Sequence, residues 1–155
     1  MMIDLTTPII PYEGTGIFKL DASYDEVKAL LKEHNISYTE EILEATDVDP
    51  PWTVIGIAKD GEKDDVINIT FAKNRLFRIC LYEGFEGKLP NGIHIGMPLD
   101  EAQRIDPTLT FDDWDEMFIS AHGYWTEDDA DTKKLCWITI FIPALERDDF
   151  FEYKW

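Results

Sequence analysis

Trp52-Thr53-Val54-Ile55-Gly56-Ile57-Ala58-Lys59, Val66-Ile67-Asn68-Ile69-Thr70-Phe71-Ala72 and Leu76-Phe77-Arg78-Ile79-Cys80-Leu81-Tyr82 are three runs rich in β-branched and aromatic residues. Asp60-Gly61 separates the first two, and Asn74 marks a tight turn before the third. Short apolar runs punctuated in this way read as consecutive antiparallel strands. Pro50-Pro51 stops whatever precedes them.

Toward the amino terminus, Ser23-Tyr24-Asp25-Glu26 has the form of a capping box. Ser23 is placed to accept the Glu26 backbone N–H while Glu26 reaches back to Ser23. Val27, Leu30, Leu31 and His34 follow at helical spacing, which predicts a helix over residues 24–34. Tyr38 to Ala45 fits either a strand or a helix. The lead-in to Gly16, with Pro8, Pro11 and Gly14, reads as extended chain.

Toward the carboxyl terminus, Gly84, Gly87 and Pro90 interrupt the pattern, which then restarts. A strand is expected over Gly92 to Ile95. A short helix beginning at Met97-Pro98-Leu99-Asp100-Glu101-Ala102 is closed by Pro107. Strand-like segments follow at Leu109 to Ser120, Gly123 to Thr126 and Leu135 to Ile142, the last two separated by the polar loop Glu127 to Lys134. Ala144 to Trp155 is acidic and aromatic.

The restart aligns with the beginning. Gly16-Ile17-Phe18-Lys19-Leu20 and Tyr24-Asp25-Glu26-Val27 match Gly92-Ile93-His94-Ile95 and Leu99-Asp100-Glu101-Ala102, with offsets of 76 and 75 residues. Two repeats, 16–86 and 92–155, within a single domain over 1–155 are one reading. One α+β domain with two similar helix starts is the other. Both give an α+β fold, an antiparallel sheet with short helices on one face.

The chain of 155 residues carries 32 acids against 14 Lys and Arg, a formal charge of −18. With 45% hydrophobic and 13% aromatic residues it has material for a core, which excludes an acidic disordered tail. Such a charge repels phosphate backbones and anionic membrane surfaces, so neither nucleic acid nor membrane is an expected partner. The start, Met1-Met2-Ile3-Asp4, has no charged or apolar signal region, and a cytoplasmic location is expected. Cys80 and Cys136 lie in apolar runs and fit two buried thiols, with a disulfide as the alternative.

The charge is concentrated. Glu33 to Ala58 holds six acids (Glu33, Glu40, Glu41, Glu44, Asp47, Asp49), and Ile105 to Thr132 holds nine (Asp106, Asp112, Asp113, Asp115, Glu116, Glu127, Asp128, Asp129, Asp131). Neither stretch contains Lys or Arg, and the rest of the chain nets only −3. Large aromatics are interleaved: Tyr38 and Trp52 in the first stretch, and Phe111, Trp114, Phe118, Tyr124 and Trp125 in the second. Aromatics amid carboxylates suit the anchors and steering charges of a protein interface. In the plainer alternative the aromatics pack inward and the acids form a solvated face.

Signals for chemistry are few. His34, His94 and His122 are scattered, and no phosphate-binding glycine motif occurs. Ser120 and His122 stand two apart, which strand alternation explains by default. Asp112-Asp113-Trp114-Asp115-Glu116 and Glu127-Asp128-Asp129-Ala130-Asp131 supply hard oxygen atoms but depart from the EF-hand pattern. No cofactor, metal or catalytic residue is expected, with a calcium site or a carboxylate-pair hydrolase as the less favoured readings.

Gly92-Ile93-His94-Ile95-Gly96-Met97-Pro98-Leu99-Asp100-Glu101-Ala102 resembles the strand, Gly-Met and acidic helix-start signature of BamE-like modules. Two such modules in tandem resemble the plan of β-lactamase-inhibitory-protein-like folds. That resemblance implies a concave sheet presented to a partner protein. Together with the charge, it makes an inhibitor the leading expectation, in the style of an immunity protein that neutralises a basic bacterial toxin such as a nuclease. A general assembly module of BamE-like type is the rival. The expected partner-binding residues are Asp112, Asp113, Trp114, Asp115, Glu116, Trp125, Asp128, Asp129 and Asp131, with Trp114 and Trp125 as anchors.

Overall fold

The computed structural model describes residues 3–44 and 50–155. The chain opens with three two-residue strands, β1 (Ile9–Ile10), β2 (Gly14–Thr15) and β3 (Phe18–Lys19), which form a small antiparallel sheet. Helix α1 (Tyr24–Glu33) follows, with both halves of the Ser23–Glu26 capping box formed. It ends at Glu33, one residue before the predicted end, with His34 as its C-cap, and buries Val27 and Leu31.

Strands β4 (Thr39–Leu43), β5 (Trp52–Ala58), β6 (Asp65–Ala72) and β7 (Arg75–Tyr82) come next as an antiparallel meander. The β6–β7 turn is tight because Lys73 and Asn74 both take left-handed backbone, with φ of 51° and 64°. After α2 (Leu99–Ile105), a second meander runs through β8 (Thr110–Asp112), β9 (Met117–Ile119), β10 (Tyr124–Asp128) and β11 (Leu135–Phe141). The two meanders join through their last strands, giving one eight-stranded sheet in the order β4-β5-β6-β7-β11-β10-β9-β8. The class is α+β. Each half is a helix followed by four strands, and the order mirrors itself about the β7–β11 pair.

Register assigns the faces. Ile55, Ile69, Ile79, Ile140 and Tyr124 are successive cross-strand partners, all essentially inaccessible to solvent. Both helices pack on this side. Tyr24 of α1 meets the Phe71 ring edge-on, and Asp106, just after α2, accepts a hydrogen bond from Tyr124. Residues from both halves enter one continuous core. The carboxyl terminus folds over one end of the opposite face. There Phe150 stacks on Trp155 with ring centroids 5.0 Å apart, and the Trp52 indole N–H donates to the Tyr153 hydroxyl at 3.0 Å.

Two sequence-based expectations need revision, and one open choice is decided. Gly92 to Ile95 is a turn, not a strand; Asn91 Oδ1 accepts the Ile93 N–H and folds the Ile93 side chain into the core. Leu109 to Ser120 is two strands, because the Asp112 carboxylate accepts the Asp115 N–H at 2.7 Å and turns the chain. Tyr38 to Ala45 resolves as the edge strand β4, whose residues Thr39 to Ile42 are all exposed, so no amphipathic period was available to read. Ala45, and Asp47 and Asp49 of the first acidic stretch, lie outside the described residues. Among the described residues, no helix is long and apolar enough to cross a membrane.

Candidate partner-binding face

The sheet face turned away from the helices follows from the same ladder, one residue out of phase. Thr39, Gly56, Asn68, Cys80, Thr139, Trp125, Ile119 and Thr110 pair successively across all eight strands. One step along, Tyr82 pairs with Trp137 and Trp137 with Glu127. In the other direction Thr70, Arg78 and Phe141 are partners. Large aromatics therefore collect at the centre of this face. Trp125 lies against Phe141 at 4.4 Å between ring centroids, and Trp52 sits edge-on to Phe77 at 5.1 Å.

Between these rings runs an open groove of about 530 Å³, lined by Trp52, Arg78, Tyr82, Met117, Trp125 and Trp137, with Asp115 at its border. Burial, reinforced by the neighbouring Cys80 thiol, pushes the Tyr82 hydroxyl up to about 12. Trp137 and Trp125 remain half-buried, which leaves apolar ring surface available to a partner. The Trp137 indole N–H donates to Glu127 at 3.0 Å. Both cysteines are free; Cys80 lies on this face, where its sulfur accepts a hydrogen bond from Thr139 at 3.2 Å.

The acidic stretches fall on opposite edges of this sheet. Glu40, Glu41 and Glu44 belong to β4 and its continuation, and Asp112, Asp113, Asp115 and Glu116 to β8 and the β8–β9 turn. The expected anchor Trp114 stands at the tip of that turn with 91% of its surface exposed. Asp128 ends β10, and Asp129 and Asp131 belong to the β10–β11 connection, at the same end of the sheet as the β8–β9 turn. The Asp129 carboxylate accepts the N–H groups of Asp131 and Thr132, which hold it below the usual carboxylate range. Asp112 and Asp129 thus shape their own turns, while Asp113 and Glu116 point outward with Trp114. Trp125 is the one expected anchor that belongs to the groove.

One acid of the second stretch does something different. Asp106 is 1% exposed and accepts at both oxygens. Oδ1 takes the Thr108 N–H and hydroxyl at 3.0 and 2.5 Å, and Oδ2 takes the Ser120 and Tyr124 hydroxyls at 2.5 and 2.6 Å. Burial alone would raise its pKa, but these hydrogen bonds outweigh burial and bring it below the ordinary value. Ser120 and His122 stand in the β9–β10 turn, not on a strand. The Ser120 hydroxyl donates to Asp106 rather than to an imidazole, and His122 Nε2 is 3.8 Å from the carboxylate on a side chain 65% exposed. A serine nucleophile needs its base in direct contact, with the acid behind the base. Here the carboxylate contacts the serine directly, an arrangement that locks a turn.

Sequence reasoning missed Arg78, Tyr82 and Trp137. Alternation along β7 and β11 placed them on shared faces, but no local signal distinguished the covered face from the open one. No protein-family model matches this chain, and neither a curated protein nor a solved structure matches it significantly.

Proposed function

We propose that this chain is a binding protein that captures and inhibits a basic protein on the open face of its sheet. The observation that carries this reading is the combination, on one uncovered face, of a half-buried aromatic floor with an acid-rich β8–β9 edge on one side and the exposed Glu41 of β4 on the other, while Glu40 turns to the helix side and pairs with Lys28. Central aromatics supply desolvated contact area, while peripheral carboxylates attract and orient a cationic surface. In its concrete form the proposal is a cytoplasmic bacterial immunity protein whose target is a nuclease toxin. Such toxins hold phosphate with Lys and Arg clusters, so an acidic rim complements the surface their substrate uses. The turn-locking role of Asp106 favours binding over hydrolysis, because it engages the serine a nucleophilic reading would require.

The test is association kinetics, at several salt concentrations, between this chain and the basic protein it retains from an extract of its native host. The on-rate should fall as salt shortens the screening length from roughly 10 Å at 0.1 M to roughly 3 Å at 1 M. Changing Asp113, Asp115 and Glu116 together to their amides should slow association while leaving the fold intact. An on-rate indifferent to both perturbations overturns the charge-led reading.

A further inference from the structure

We propose that the groove on the open face seats a carboxylate of the bound protein, an aspartate or glutamate side chain held by the guanidinium of Arg78. This deepens the partner-binding reading above and rests on it. Arg78 lies on a central strand, and among the described residues its buried Nε–H has no hydrogen-bond partner. Its one polar contact among the described residues is a long bond of 3.4 Å from a terminal nitrogen to the Thr70 hydroxyl. The guanidinium is otherwise held by rings, 5.3 Å from the Trp52 centroid and 5.6 Å from that of Phe77.

Lys28, Arg75, Arg147 and Lys154 each have a carboxylate within ion-pair distance, whereas Arg78, like the other nine Lys and Arg, has none among the described residues. What sets Arg78 apart among the described residues is its buried, unpartnered donor. Of the carboxylates about the groove, Glu127 is engaged by the Trp137 indole, and Asp115, which lines the groove, makes no ion pair with Arg78. A buried donor without a partner is costly, and a planar guanidinium matches a carboxylate through two parallel hydrogen bonds. A neutral apolar occupant would leave the terminal nitrogens with only the long bond to Thr70. A phosphate would bring extra negative charge between two acidic edges. A single carboxylate on an apolar stem satisfies the fork and lets the stem lie against Trp125 and Trp137. In a basic partner, one such acid would fix register while the surrounding cations meet the rim.

The experiment titrates ¹⁵N-labelled protein with acetyl-Leu-Glu-Leu-amide and, separately, with acetyl-Leu-Gln-Leu-amide. It follows the Arg78 Nε–H and the Trp125 and Trp137 indole resonances by NMR at physiological salt, where the protein's own field is screened beyond roughly 8 Å. The glutamate peptide should shift all three signals with a Kd on the order of 1 mM, and the glutamine peptide should bind at least about tenfold more weakly. Arg78→Gln should abolish the difference between the peptides. Arg78→Lys, which keeps the charge but loses the fork, should reduce the difference and serves if the glutamine variant does not fold. Equal response to both peptides, or no response at about 10 mM, overturns the proposal. Either negative result leaves the salt-dependent association above untouched, so the two readings fail separately.

Discussion

Replacing Asp106 with Asn keeps the side-chain volume and removes the charge, and it should destabilise the fold substantially. Each carboxylate oxygen receives two donors: two from Thr108 at Oδ1, and the Ser120 and Tyr124 hydroxyls at Oδ2. Whichever way the amide turns, its NH₂ meets one of these pairs. Ser120 and Tyr124 are themselves 1% exposed, so water cannot readily replace a lost acceptor. With about 1–3 kcal/mol for each buried group left unsatisfied, and some recovery by hydroxyl rotation, the expected loss is about 3 kcal/mol. That corresponds to roughly 10 °C in Tm for a domain of this size. Urea unfolding followed by circular dichroism should show a lower midpoint with an unchanged m-value.

The same carboxylate gives the wild-type protein a pH dependence of known sign. Its folded pKa lies below the ordinary value, so its contribution is fully present above the unfolded pKa of about 3.9. That contribution is lost as pH falls through the lower folded value, and the Asn variant should lack this component of acid destabilisation. His122→Ala is the control. An exposed side chain 3.8 Å from the carboxylate should change stability by no more than about 0.5 kcal/mol. An Asn variant within about 0.5 kcal/mol of wild type would refute the buried-acceptor account.

Ser23→Ala removes the α1 capping box and should cost about 1 kcal/mol by chemical denaturation, without altering the open face. Gly87→Ala should be more damaging, because the added methyl would meet the Thr7 carbonyl oxygen at 1.9 Å and displace the amino-terminal segment; a midpoint shift below about 1 kcal/mol would count against this packing. Incubation with a fluorophosphonate should leave Ser120 unlabelled, since its hydroxyl is buried and committed to Asp106; covalent labelling there would revive the hydrolytic alternative.

The most legible features were those written in neighbouring residues. The capping box at Ser23 and Glu26 involves groups three positions apart, and it formed as read. Strands β5, β6, β7 and β11 were recognisable because their apolar runs are long and end at turn-forming residues. Short strands were harder. Asp112 to Glu116 registered as a cluster of charge, whereas Asp112 acts first as the acceptor that closes a turn. Gly92 to Ile95 looked like a strand because two isoleucines alternate with a histidine, but Ile93 reaches the core from a turn. Asp106 was counted with the surface acids, since its four donors come from as far as Tyr124 and no local pattern announces them.

By itself, the sequence determined the α+β class, the helix start at Ser23, the central strands and the location of most of the negative charge in two stretches without a base. Only the tertiary structure decided that β7 pairs with β11. That pairing sends β4 and β8, with their acids, to opposite edges and brings Arg78, Trp125 and Trp137 to one groove. The physical reason is that alternation along a strand sorts side chains into two faces but does not say which face the helices will cover. That choice is made by packing between residues distant in sequence, and it leaves Arg78 on the open side with no carboxylate within ion-pair distance among the described residues.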